Sequence, residues 1–207
     1  MYRLVSVMFL VVAVAAGQTW SVQNSNTSNR LEAVWFTDGV HGWAVGDLGT
    51  SIKTSDAGET WSPFNLTIED LEDVAFLGRQ VGLIVGDEGL IFRTANGGQN
   101  WSQVASGTRS SLRAVEFGTR GRAYAAGDDG VILRSTDDGE SWSVVETGTV
   151  RWEGLFGVDE LRAYVVGRGG NIKVSGNGGA SWSDQGSGTT SDLKDVYFTG
   201  LSDGWAV

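Results

Sequence analysis

The sequence contains no cysteine, one proline and one histidine among 207 residues. Without cysteine there is no disulfide framework, no thiolate metal site and no cysteine nucleophile. The single histidine, His41, excludes a multi-histidine zinc or iron centre. Basic residues are scarce, 15 against 25 acidic ones, for a net charge of −10. That balance argues against nucleic-acid binding, which needs a basic face to displace counterions. No Gly-X-Y period runs through the chain, so it is not collagen-like. Disorder is excluded as well, because 41% of the residues are hydrophobic and 10% aromatic, enough to build a core. Two residue types are abundant: 31 glycines, roughly twice the usual ~7% share, and 9 tryptophans.

Long hydrophobic runs are absent except at the N-terminus. Arg3 is followed by an apolar run, Leu4 to Ala16, broken only by Ser6. A membrane-spanning helix needs about 20 such residues, so this run is too short to span. It has the length of a signal-peptide core, and Ala13, Ala15 and Ala16 offer a cleavage site after Ala15 or Ala16. Residues 1–16 are therefore expected to be a signal peptide. The mature chain, 17–207, is expected to be exported to a periplasm, the cell exterior or a thylakoid-type lumen, with no stable membrane insertion. No cysteine follows the run, so it does not read as a lipoprotein anchor.

The tryptophans keep a period. Trp61, Trp101, Trp142 and Trp182 are spaced 40, 41 and 40 residues apart. Each closes an octapeptide of the form [ST]-x-[DN]-x-G-x-x-W: TSDAGETW, TANGGQNW, STDDGESW and SGNGGASW. Trp20, 41 residues before Trp61, ends the tail of a fifth copy. Other segments recur in order within each unit. An alternating segment comes first: Leu31–Phe36, Leu71–Phe76, Leu112–Phe117, a looser version from Trp152, and Leu193–Phe198. An apolar run ending in glycine follows, then a turn, a third run, the octapeptide and a fourth run. The runs are short, rich in β-branched and aromatic residues, and bounded by glycine-containing turns. Four short strands per ~40 residues is the pattern of a β-propeller blade, and stacked blades bury the faces that one blade alone leaves bare. The reading is an all-β propeller of four-stranded antiparallel blades. Blades are expected at about 31–66, 71–105, 112–146 and 152–186. A partial blade covers 193–207, and a lone fourth strand 17–23. About 4.5 blades suggest a portion of a ring of six to eight.

The octapeptide resembles the Asp-box, or bacterial neuraminidase repeat. Its structural residues would be Thr54, Asp56, Gly58 and Trp61; Thr94, Asn96, Gly98 and Trp101; Ser135, Asp137, Gly139 and Trp142; Ser175, Asn177, Gly179 and Trp182. Asp and Asn share an acceptor oxygen but not a charge, so this position is expected to accept hydrogen bonds from turn amides. A calcium site would keep more carboxylates. The glycines are expected at positive φ, and the tryptophans between blades. The longer unit, over Gly42–Trp61, Gly82–Trp101, Ala123–Trp142, Ala163–Trp182 and Gly204–Val207, resembles the photosystem II stability and assembly factor propellers and their bacterial relatives. The resemblance implies an exported, non-enzymatic propeller that holds partner proteins during assembly, photosystem subunits in the photosynthetic cases.

Function in a repeat protein is expected where the repeats differ. The turn after the second strand carries Asp47, Asp87 and Asp128 in three copies but Arg168 in the fourth. The loops leading into the blades nearby carry Arg109, Arg113, Arg151, Trp152 and Glu153. These six residues, Arg168 included, form the candidate protein-binding site, a basic and aromatic patch on an acidic ring. Lys53, Arg93 and Arg134 recur just before the octapeptides and read as strand-edge solubility. No catalytic residue, cofactor or metal is expected. The alternative function is a sialidase-like Asp-box glycoside hydrolase or a carbohydrate-binding propeller, with a glycan as partner. Against it, the only proline, Pro63, lies in Ser62-Pro63-Phe64 and not in the Arg-Ile-Pro motif of sialidases. No pair of acids stands in a distinctive context either.

Overall fold

A computed structural model describes residues 22–207. The expected signal peptide, and residues 17–21 of the expected N-terminal strand, lie outside the described residues. Val22 and Gln23 belong to no strand, and Val22 is fully exposed.

Four antiparallel sheets of four strands follow one another in chain order. Blade 1 holds β1 (Leu31–Phe36), β2 (Gly42–Gly46), β3 (Ser51–Thr54) and β4 (Ser62–Pro63). Blade 2 holds β5 (Leu71–Leu77), β6 (Val81–Gly86), β7 (Ile91–Thr94) and β8 (Ser102–Gln103). Blade 3 holds β9 (Leu112–Phe117), β10 (Ala123–Gly127), β11 (Ile132–Ser135) and β12 (Ser143–Glu146). Blade 4 holds β13 (Trp152–Gly157), β14 (Ala163–Gly167), β15 (Ile172–Ser175) and β16 (Ser183–Gln185). A two-stranded sheet, β17 (Val196–Phe198) and β18 (Gly204–Ala206), completes the described chain. The architecture is all-β, and among the described residues the only helical turns are four three-residue 3-10 turns after the second strands.

The outer strands are shorter than the sequence pattern suggests. Blades 1 and 2 pair only two residues there. These edges are polar and exposed, and Pro63 offers no amide to a ladder, so pairing stops early. β17 starts at Val196, later than the Leu193 of the pattern.

The hydrophobic core is not inside any one blade. Each cluster spans a blade boundary: Trp43 and Val45 with Leu71, Val74 and Phe76; Leu83, Val85 and Ile91 with Leu112 and Val115; Tyr124 and Ile132 with Trp152 and Leu155; Val166 with Leu193 and Val196. Leu83, Leu112 and Ile132 are completely buried, each worth about 1.5–3 kcal/mol in burial. Short four-residue strands are stable here because neighbours cover both faces.

The octapeptides build a repeated turn. The hydroxyl of the first residue donates to the Asp or Asn two residues on and accepts the glycine amide: Thr54 Oγ1 to Asp56 Oδ1 at 2.7 Å, with Gly58 N to Thr54 Oγ1 at 3.0 Å. The same pair of bonds recurs at Thr94, Ser135 and Ser175. The Asp or Asn oxygen then accepts the amide four residues later, from Thr60, Asn100, Ser141 and Ser181. Asn supplies the same acceptor oxygen in two copies, while in the other two the hydroxyls of Thr60 and Ser141 also donate to the second carboxylate oxygen and hold Asp56 and Asp137 down at about 2.

The glycine of the octapeptide has positive φ in every copy, +70° at Gly98. It also sits where the preceding blade presses in. A methyl group on Gly139 would meet Leu83 Cδ2 at 2.7 Å, and methyls on Gly98 and Gly179 would collide with Trp43 and Tyr124. The second strands of blades 1, 2 and 3 thus each plug a large side chain into the next blade's octapeptide. The octapeptide tryptophans reinforce this seam. Trp101 stacks on Phe64 of the segment leaving blade 1, and Trp182 meets Tyr124 of blade 3 edge-on. Trp61 packs against Phe36 of its own blade.

Strand-3 cations take part in the same seam, which corrects their reading as solubilising residues. Arg93 Nε donates to Asp138 O at 2.8 Å, and Arg134 Nε to Gly178 O at 2.6 Å, each in the following blade's octapeptide. Only Lys53 of the three has no partner among the described residues.

Candidate functional site

The first strands of all five units line one central cavity of about 480 Å³. Each first strand opens with an irregularity. Pairing to the second strand slips between Leu31 and Ala33, Leu71 and Asp73, Leu112 and Ala114, and Trp152 and Gly154. The skipped residues are Glu32, Glu72, Arg113 and Glu153, with Lys194 at the matching place in the last unit. A bulge re-aims the skipped side chain, and here it sets a ring of charges at the cavity mouth.

Arg113 is the hub of this ring. Its side chain is 15% exposed and contacts Glu72, Asp87 at 3.5 Å and Asp128 at 3.0 Å. Burial and this acidic cage have opposite effects on the guanidinium, and the cage prevails, so Arg113 is held more firmly charged than usual. Glu72 is pushed upward by its own burial, with Arg113 opposing. The other side of the ring centres on Glu153. Its Oε1 accepts hydrogen bonds from Arg168 Nε at 3.1 Å and Lys194 Nζ at 3.2 Å, and Arg151 Nε lies 3.1 Å away as an ion pair without a hydrogen bond. Arg151 also approaches Asp128, and Lys194 approaches Asp192.

The turns hold this ring in place. In the turn after each second strand, the middle residue is left-handed: Leu48, Glu88, Asp129 and Gly169. The amide of Leu48 is capped by Asp70 Oδ1 and that of Gly169 by Asp192 Oδ1, both in the loop leading into the next blade. Ser110 does the reverse, donating its hydroxyl to Asp129. With Asp87 paired to Arg113 in the second turn and Asp128 close to Arg151 in the third, each turn is tied to the following blade.

The expected basic and aromatic patch is only partly assembled. Arg113, Arg151, Glu153 and Arg168 do come together. Arg109 stands exposed, without a partner among the described residues. Trp152 is not on the surface: it is 2% exposed and packs in the boundary cluster of blades 3 and 4. It occupies the repeat position of Leu71 and Leu112, so the core claims it. Nor is the face basic. Asp87, Asp128, Glu72 and Glu153 neutralise its arginines, a charge-balanced network in place of a cationic patch.

Three carboxyls in the cavity escaped the sequence reading. Asp73 accepts Val115 N and Val74 N, joining the first strands of blades 2 and 3. Burial pushes its carboxyl up to about 7, although the two amides pull the other way. Glu116 is pushed up to about 8, chiefly by burial and further by Asp73 and Asp195. The signal was present in the repeats. Asp73 and Asp195 stand where other units have Ala33, Ala114 and Gly154; Glu116 stands where others have Trp35, Ala75, Phe156 and Tyr197. Among the described residues, no group of three or more His, Asp or Glu is placed to hold a metal ion.

The sequence profile of the "Photosynthesis system II assembly factor YCF48" family matches residues 12–109 and 64–154. A 66-residue stretch, 30% of this chain, is 33% identical to "Photosystem II assembly lipoprotein Ycf48" of Nostoc sp. (strain PCC 7120 / SAG 25.82 / UTEX 2576). That stretch is 20% of the relative, so the match spans one fifth of the curated protein's length. Among solved structures, "YCF48 bound to D1 peptide" superposes with a TM-score of 0.55 at 19% identity, covering 89% of this chain and 92% of that one. An ancestral GH74 enzyme superposes with a TM-score of 0.64 at 17% identity, covering 81% of this chain and 25% of that one. At such identities these two establish the propeller fold.

Proposed function

The chain belongs to the photosynthesis system II assembly factor YCF48 family, and from that premise we propose that it is an exported, non-enzymatic propeller scaffold. It binds an acidic polypeptide segment of an assembly partner at the cavity mouth. One observation carries the binding part: three cations, Arg151, Arg168 and Lys194, converge on the single oxygen Glu153 Oε1. An arginine has five donors and a lysine three, so most of this donor capacity is unspent. Side-chain exposures of 32% for Arg151, 53% for Arg168 and 58% for Lys194 keep it reachable. A partner carboxylate seated there would complete the ring and gain charge-assisted bonds. The related YCF48 structure holds a D1 peptide, which supports a polypeptide ligand.

Export is inferred from the apolar run 4–16, and the relatives' description as lipoproteins supports it. The non-enzymatic reading rests on the acids. A glycosidase flanks its bond with one protonated and one ionised carboxyl. Here the mouth carboxylates are tied to arginines, and the raised carboxyls Asp73 and Glu116 lie together in the cavity below.

The test is fluorescence anisotropy with a labelled acidic D1 peptide and a neutral version in which Asp and Glu become Asn and Gln. The acidic peptide should bind, and the Arg151→Ala/Arg168→Ala variant should bind it about tenfold or more weakly. Equal affinity of the variant, or of the neutral peptide, would remove the mouth as the binding site.

A further inference from the structure

On the octapeptide face, the seams between blades are not alike. Between blades 2 and 3, Arg93 crosses to Asp138 O and pairs with Glu140 at 3.3 Å. Between blades 3 and 4, Arg134 crosses to Gly178 O. Between blades 1 and 2 the corresponding cation is Lys53, and the corresponding carbonyl belongs to Gly97. No bond joins them. A lysine ends in a compact ammonium, without the nitrogen that an arginine carries one carbon earlier and turns sideways. The seam stays open there as a cleft of about 440 Å³.

The cleft collects one unspent charge. Asp38 lies on its rim and is satisfied: it takes His41 Nδ1 at 3.0 Å and Arg79 Nε at 3.3 Å, besides the amides of Val40 and His41. Those amides, first among its influences, hold the Asp38 carboxyl down at about 2, so it stays an anion. Arg79 and Asp38 cancel, leaving Lys53 as a surplus positive charge on a protein of net charge −10. The rest of the lining is hydroxyl and amide, from Thr37, Thr60, Ser62, Gln80 and Gln99. Trp43 closes the inner wall. It is 5% exposed, its Nε1 has no hydrogen-bond partner, and its ring face is covered by Phe76 at 4.3 Å.

We propose that this cleft binds a small hydroxylated monocarboxylate, its carboxylate on Lys53 and its hydroxyls on the polar lining. One surplus charge matches one carboxylate. The covered indole face leaves hydrogen bonding, and not ring stacking, to hold the remainder. The cleft lies on the face opposite the cavity mouth, so this site is separate from the polypeptide site proposed above.

Calorimetric titration of the full chain tests it with glucuronate, acetate, glucose and inorganic phosphate as probes. Glucuronate should bind in the millimolar range, with acetate and glucose each at least about tenfold weaker, because each supplies half of the recognition. Lys53→Ala should weaken glucuronate about tenfold, the loss of one charged hydrogen bond, without lowering Tm. Lys53→Arg keeps the charge but should turn it onto Gly97 O, as at Arg93, so that binding falls and Tm rises. Four results would each overturn the proposal: no glucuronate binding at tens of millimolar, undiminished binding to either variant, glucose binding as well as glucuronate, or phosphate binding more tightly than glucuronate.

Discussion

Glu116 makes the structure testable by pH. Its carboxyl lies in the central cavity with no hydrogen bond among the described residues. Burial, with Asp73 and Asp195 nearby, lifts it to about 8 from an ordinary 4.5. The folded chain therefore keeps a proton that the unfolded chain loses. Stability from this group is fully present below about pH 4.5 and drains away as the pH rises through about 8. At ~1.4 kcal/mol per tenfold change in the protonation equilibrium, the whole effect is capped near 5 kcal/mol, of which about 3 kcal/mol falls between pH 5 and pH 8. Glu116→Gln is nearly isosteric and removes the titration. Urea unfolding followed by tryptophan fluorescence should show the parent losing about 3 kcal/mol more than the variant over that interval. The variant should be the more stable protein at pH 8. If the two lose stability in parallel, or if the parent gains as pH rises and the variant does not, Glu116 is ionised in the folded state and the raised carboxyl is refuted.

Other perturbations separate the remaining devices. Gly98→Ala places a methyl against Trp43 at a φ of +70°; it should cost about 2–4 kcal/mol by chemical denaturation, whereas Gly39→Ala, with nothing within 4 Å, should change little. Thr54→Val removes both bonds of the octapeptide hydroxyl and should cost about 1–2 kcal/mol, while Asp56→Asn keeps the Thr60 amide bond but loses the carboxylate that Thr60 holds down at about 2, and should lower Tm only modestly at pH 7. Arg113→Met strips the counter-charge from Glu72, Asp87 and Asp128. It should destabilise by about 2–4 kcal/mol at pH 7, with the deficit shrinking in acid as the carboxyls protonate.

What was legible in the sequence was whatever repeats. The blades, the acceptor role of Asp56 and Asn96, and the positive φ of Gly58, Gly98, Gly139 and Gly179 follow from a 40-residue period, because one physical requirement wrote the same residue several times. Residues at variance with the period were harder. Arg168 stood out because it replaces the aspartate that the other three turns carry, and it is 53% exposed. Trp152 misled because a tryptophan beside two charged residues resembles an interface anchor, yet its register assigned it to the core. Asp73 and Glu116 were passed over because only the side-by-side arrangement of the first strands brings their strand positions into one shared cavity. Arg93 and Arg134 looked like solvated edge residues because their acceptors are backbone carbonyls more than 40 residues away, which no side-chain pattern reveals.

The fit of Trp43, Leu83 and Tyr124 over Gly98, Gly139 and Gly179 has a consequence for how such a chain can change. Blades 2 and 3 each carry a projection on one side and a matching recess on the other. A duplicated unit thus arrives with both halves of a joint, and copy number can grow or shrink by whole units with only the side chains at each boundary left to adjust. The same joint gives the array a direction. An inverted unit would set projection against projection, so recombination can shuffle the order of units but never their polarity.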